Sequence, residues 1–161
     1  LSLDRNSIGN AGAAALASAL GRGALPVLEQ LSLSSNRIGN AKLGVLAAPL
    51  RQHRSLKKLA LGVNRIGDDD VAALVACDKT AWPALEELCL DINQITDTGC
   101  ATLTAALHNG VMPKLWCLKY RGYPRTEHAL EGNPVSSEAV SALEEATAIR
   151  LHEAAEMAAA M

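Results

Sequence analysis

Phenylalanine is absent from this chain of 161 residues, and its aromatic side chains are Trp82, Trp116, Tyr120 and Tyr123. A core without large rings must be assembled from Leu, Ile, Val and Ala, which suits thin, repeated layers better than one thick core. Cys77, Cys89, Cys100 and Cys117 show no CxxC spacing, which argues against a structural zinc site and leaves reduced, mostly buried thiols as the expectation. No run of eighteen apolar residues, signal peptide or Asn-x-Ser/Thr acceptor occurs. A membrane span is therefore not expected, and a cytoplasmic location is the default. Fifteen basic and seventeen acidic residues leave a formal charge of -2, without the global basic bias that nucleic-acid binding usually leaves.

What the chain has instead is an internal period. The phrase LxLxxNxI appears at Leu1–Ile8, Leu31–Ile38, Leu59–Ile66 and Leu88–Ile95, and Leu118 opens a fifth unit. The starts at 1, 31, 59, 88 and 118 are 28 to 30 residues apart. Leucines that alternate within each phrase place their side chains on one face of a short strand. Ten residues after each asparagine comes Leu16, Leu46, Leu74, Leu103 or Leu143, in helical register with its neighbours. Four residues after each asparagine stands Asn10, Asn40, Asp68, Asp97 or Ser137, each able to accept from a free amide at a helix start. Helices are expected over 10–22, 40–50, 68–77, 97–109 and 137–159. The repeated asparagine reads as a structural ladder that satisfies backbone groups in the turn after each strand.

Taken together, LxxLxLxxNxI, the small-residue turn and the Ala-rich helix resemble the ribonuclease-inhibitor class of leucine-rich repeats over about residues 1 to 147. The resemblance implies an α/β solenoid, a horseshoe with parallel strands on its concave face and helices on its convex face. The whole chain, 1–161, is expected to be one such domain. Because it starts at Leu1 inside a strand phrase and without Met, it reads as a piece of a longer chain, with weak self-association through an uncapped first unit. The class includes inhibitors, receptor sensors, actin-capping proteins and activators of the small GTPase Ran. Fold does not choose among them.

Some positions depart from the pattern. Pro49 is expected to kink or shorten the second helix. Trp82 shares a column with Leu25 and Met112 and is expected to plug the core beside the loops; His53, in that column too, reads as a tolerated, partly exposed histidine. In the fifth unit the asparagine arrives thirteen residues after Tyr120 instead of three, an insertion of ten residues over about 121–130. Insertions at a strand end of a repeat scaffold become surface loops that carry function. The last helix, with Val140, Leu143 and Ile149 on its apolar face, is expected to cap the open end.

Signals for catalysis, cofactors or metals are missing. Asp68, Asp69 and Asp70 fall in a first helical turn, where carboxylates serve amides and the helix dipole, and the four histidines form no ligand spacing. The strand residues between the leucines are expected to line the concave face, with Glu87, Cys89 and Asp91 exposed beside Cys117, Lys119 and Arg121. Trp116, Lys119, Arg121, Tyr123 and Arg125 are expected to converge at its C-terminal rim as anchors for an acidic protein partner. The function so read is a noncatalytic interaction scaffold. A Ran-type GTPase activator and the sensor portion of a receptor are the alternatives.

Overall fold

The computed structural model describes residues 1–39, 43–76, 80–118, 130 and 132–159. Helices alternate with strands: α1 (Gly9–Gly21), β1 (Gln30–Ser32), α2 (Leu43–Arg51), β2 (Lys58–Ala60), α3 (Asp68–Val75), β3 (Glu87–Cys89), α4 (Asp97–His108) and α5 (Ser137–Ala159). The strands form one parallel sheet in the order β1-β2-β3, with Leu31, Leu59 and Leu88 in line. Each helix packs on the next, α1 on α2 through to α4 on α5. Every described unit therefore adds one strand position to the sheet and one helix to the layer behind it.

The first and fifth units join the sheet by single bridges, Ser2 to Ser32 and Glu87 to Cys117. Five strands were expected and three are found among the described residues. In the first unit Leu1 and Leu3 exchange backbone bonds with Ser32, at 3.0 and 2.9 Å, and Arg5 N donates to the Ser34 carbonyl at 3.0 Å. The fifth strand would continue through 119–121, outside the described residues.

Leucine columns hold the layers together. Leu31, Leu33, Leu59, Leu61, Leu88 and Leu90 from the strands meet Leu46, Leu74 and Leu103 from the helices in one buried cluster. Each buried leucine contributes about 1.5–3 kcal/mol relative to an exposed one. Leu3, Ile8 and Leu16 of the first unit are only partly buried against that cluster. Trp82 is 1% exposed and its indole N–H donates to the Leu74 carbonyl at 3.2 Å, so it does plug the core. Its backbone is left-handed, as at Leu25 and Met112 in the same column. His53 is partly exposed, with Nε2 2.9 Å from the Leu25 carbonyl.

The asparagine ladder is fully formed between the second and third units. Asn64 Oδ1 accepts from the amides of Asn36 and Ile38, at 3.1 and 3.0 Å. Its Nδ2 donates to the Leu33, Leu61 and Gly62 carbonyls. Asn36 serves Asn6 and Ile8 in the same way, while Asn93 serves Ile66 and Asn133 serves Ile95. Each asparagine thus satisfies the turn of the unit before it, where the chain leaves the sheet and has no strand partner.

Three local expectations need correction. Asn10, Asp68 and Asp97 do not cap their own helices; they accept from the amides of Gly39, Thr96 and Ser136, at the helix start of the following unit. Asp68 and Asp97 are already the first helical residues, so their side chains reach sideways, while Thr96 Oγ1 caps α4 by accepting from Thr98 N. Asp70 bonds both Gly67 N in its own unit and Leu43 N in the one before. Pro49 does not shorten α2, which carries it within its last turn and ends at Arg51. On α5, Leu143 and Ala146 are buried but Ile149 is 43% exposed and stands outside the apolar face.

Candidate functional site

The leucines take the inner face of the sheet, so the alternate residues must take the other. Between β1 and β3 that outward face is a shallow trough of about 400 Å³, lined by Gln30, Ser32, Lys58, Ala60, Glu87 and Cys89 among others. Small residues at its centre, Ser32 and Ala60, leave the floor low. Lys58 and Glu87 are neighbours in register and pair across it at 2.7 Å, mostly shielded from water. The exposed Glu29–Lys57 pair on the adjoining rim, at 3.2 Å, contributes little.

One end of the face is more closed than expected. Cys89 is 5% and Asp91 6% exposed, so neither is the open surface residue that alternation implied. The reason lies on the neighbouring strand position: Gly62 has no side chain, and a Cβ there would overlap Asp91 Oδ1. Asp91 folds into that space and accepts a bond from the Cys89 thiol at 2.6 Å. Burial first, and then the bond to Asp91 and its charge, push the Cys89 pKa far above the ordinary thiol range.

At the other end, Trp116 is 46% exposed and its amide donates to the Glu86 carbonyl at 3.1 Å. It therefore stands beside Glu86 and Glu87. Asp91 lies four residues further along the strand direction, about 13 Å away at roughly 3.3 Å per residue. The structure brings Trp116 and Glu87 together and leaves Asp91 apart. Lys119, Arg121, Tyr123, Arg125 and Cys77 lie outside the described residues.

A column that sequence reasoning missed borders the Asp91 end. Arg5, Ser35, Val63 and Ile92, each just before a ladder asparagine, all have positive φ, as does Gly132 in the fifth unit. Val63 and Ile92 are 42% and 48% exposed. Their shared position in the period was visible; the conformation was not, since only Gly132 is a residue that favours it. Ser34, next to Gly62 in the same face, is 8% exposed and its hydroxyl has no hydrogen-bond partner. Among the described residues no group of three or more His, Cys, Asp or Glu side chains is placed to hold a metal ion. No described helix is long and apolar enough to cross a membrane.

Parallel strands alternating with helices at a period of 28 to 30 residues, stitched by leucine columns and an asparagine ladder, define an α/β repeat protein. The Leucine Rich repeat family model matches residues 1–17, 24–41 and 52–75. The chain is a leucine-rich repeat protein. Among solved structures it is similar to "Leiomodin-1 Actin-Binding Site 2 (ABS2)", with a TM-score of 0.58 and 18% identity over 90% of this chain and 95% of that one. No curated protein sequence matches.

Proposed function

We propose that this chain is a noncatalytic protein-interaction scaffold of the ribonuclease-inhibitor-like class, a horseshoe solenoid that docks its partner on the concave sheet face and the C-terminal rim. The observation that carries the reading is the half-exposed Trp116 at the open end of a sheet face whose centre is floored by small side chains. Large aromatic side chains on an otherwise polar surface are the usual anchors of binding energy. A sheet pinned by side-chain ladders loses little conformational entropy on docking, so more of the contact energy appears as affinity. Glu87 and Asp91 contribute from the described face. Lys119, Arg121, Tyr123 and Arg125 contribute from the rim and meet an acidic patch of the partner. The setting is cytoplasmic, and the partly buried first unit supports weak self-association.

The solved structure it resembles is named as an actin-binding site, which makes actin the first partner to test. Purified chain and monomeric actin are mixed and binding is measured by fluorescence anisotropy, with Trp116→Ala and Arg121→Ala in parallel. Saturable binding weakened about tenfold by either change supports the reading, as expected for loss of an anchor. Binding that both variants retain in full would sink the assigned rim. Stimulation of GTP hydrolysis by Ran without stable binding would favour the GTPase-activator alternative.

A further inference from the structure

We propose that the Asp91 end of the sheet face takes the cationic end of a basic side chain, an arginine guanidinium, presented by the partner protein. The inference rests on the sheet face being the docking surface.

Asp4, Ser34, Gly62 and Asp91 stand level across four consecutive units, two residues beyond the paired Ser2, Ser32, Ala60 and Cys89. Asp4 leans in from one side: its Oδ1 accepts from the Ser34 amide at 2.8 Å and from the Ser32 hydroxyl at 2.5 Å. Asp91 leans in from the other side, over Gly62. Ser34 and Gly62 are one strand spacing apart, about 4.8 Å, so the two carboxylates lean over neighbouring positions of the same row. Neither belongs to either of the described ion pairs, Glu29–Lys57 and Lys58–Glu87. Ser34 stands between Asp4 and Gly62 in that row, and its hydroxyl is more than nine-tenths buried and without a partner. It alternates with the core residue Leu33, which places it on the same face as the carboxylates.

Two carboxylates and an unpartnered hydroxyl are an acceptor set. A planar guanidinium, with five donors in a fork, matches it. Calcium takes six to eight oxygens, more than this cluster offers. Val63 and Ile92 follow Gly62 and Asp91 directly and are exposed, although β-branched residues with positive φ are uncommon. They form an apolar kerb on which the aliphatic stem of an arginine can lie while its head reaches the carboxylates.

The full chain, labelled at its valine and isoleucine methyls, is titrated with a blocked glycine pentapeptide carrying one central arginine. The same peptide with neutral citrulline, and calcium chloride, serve as controls. Saturable shifts at the Val63 and Ile92 methyls with arginine, at least about tenfold weaker with citrulline, are expected from loss of the charged bonds. Asp91→Asn is expected to weaken the arginine peptide by a similar factor. Ser34→Ala, which removes no hydrogen bond made by the free chain, is expected to weaken it about threefold without lowering the unfolding midpoint. Equal binding of citrulline, full binding by Asp91→Asn, or calcium binding in place of the peptide would overturn the proposal. If the peptide fails while Trp116→Ala still weakens partner docking, this inference falls and the scaffold reading stands. If the peptide binds as described while Trp116→Ala docks the partner unchanged, the rim assignment falls instead.

Discussion

The interior columns and the Asp91 end of the sheet face are built from the same repeats, yet they treat polar groups in opposite ways. In the columns, Asn64 satisfies two amides and three carbonyls. At the Asp91 end, the Ser34 hydroxyl is buried without a partner and, among the described residues, Asp91 accepts only from the Cys89 thiol. Buried polar groups are normally paired. That difference is the reason for proposing a docking site at this end and not in the columns.

The widest break in that contrast should come from the ladder. Asn64→Ala strands two amides and three carbonyls, and at about 1–3 kcal/mol for each group left unsatisfied the loss should be at least about 3 kcal/mol. Leu74→Ala, at a wholly buried site, should cost about 2–5 kcal/mol by transfer and cavity terms. Urea denaturation of both variants checks whether the polar ladder matters as much as the apolar one. Similar losses are expected.

A smaller effect concerns the contacts between units. Burial raises the Asp68 pKa, but the bonds from the Thr96 hydroxyl and amide and from the Gly99 amide outweigh it and hold the carboxyl below its usual value of 3.8. A depressed folded pKa gives stability that is present above the unfolded value and is lost as the pH falls through the folded one. Stability should therefore drop with acidification below about pH 4, and Asp68→Asn should flatten that drop. An unchanged pH profile in the variant would remove Asp68 from the account.

The smallest effect is chemical. With its pKa raised by burial and by Asp91, Cys89 should alkylate much more slowly at pH 8 than the partly exposed Cys117. Mass spectrometry of the chain after brief iodoacetamide treatment reads the order directly. Faster labelling at Cys89 would mean that Asp91 does not close over it.

Much of the interior was legible in the sequence because repetition averages out accident. The leucine columns, the asparagine ladder and the Trp82 plug each follow from a residue type recurring in register. What was not legible depends on pairs of units. That Asp68 serves the helix start of the next unit, and that Asp91 is buried because Gly62 lacks a side chain, are relations between residues 28 and 29 positions apart. The positive-φ column stayed hidden because Arg5, Ser35, Val63 and Ile92 share no side-chain property that favours it. Of the residues expected to bind, Trp116 and Glu87 lie together, Asp91 lies at the other end of the face, and Lys119, Arg121, Tyr123 and Arg125 lie outside the described residues.

The repeated interior carries the fold and the irregular outward row does not. The most direct test of this is one urea titration of Asn64→Ala beside Ser34→Ala. A large fall in midpoint is expected for Asn64→Ala and an unchanged or slightly raised midpoint for Ser34→Ala, which removes a buried hydroxyl that bonds to nothing. A fall for Ser34→Ala as large as that for Asn64→Ala would contradict it.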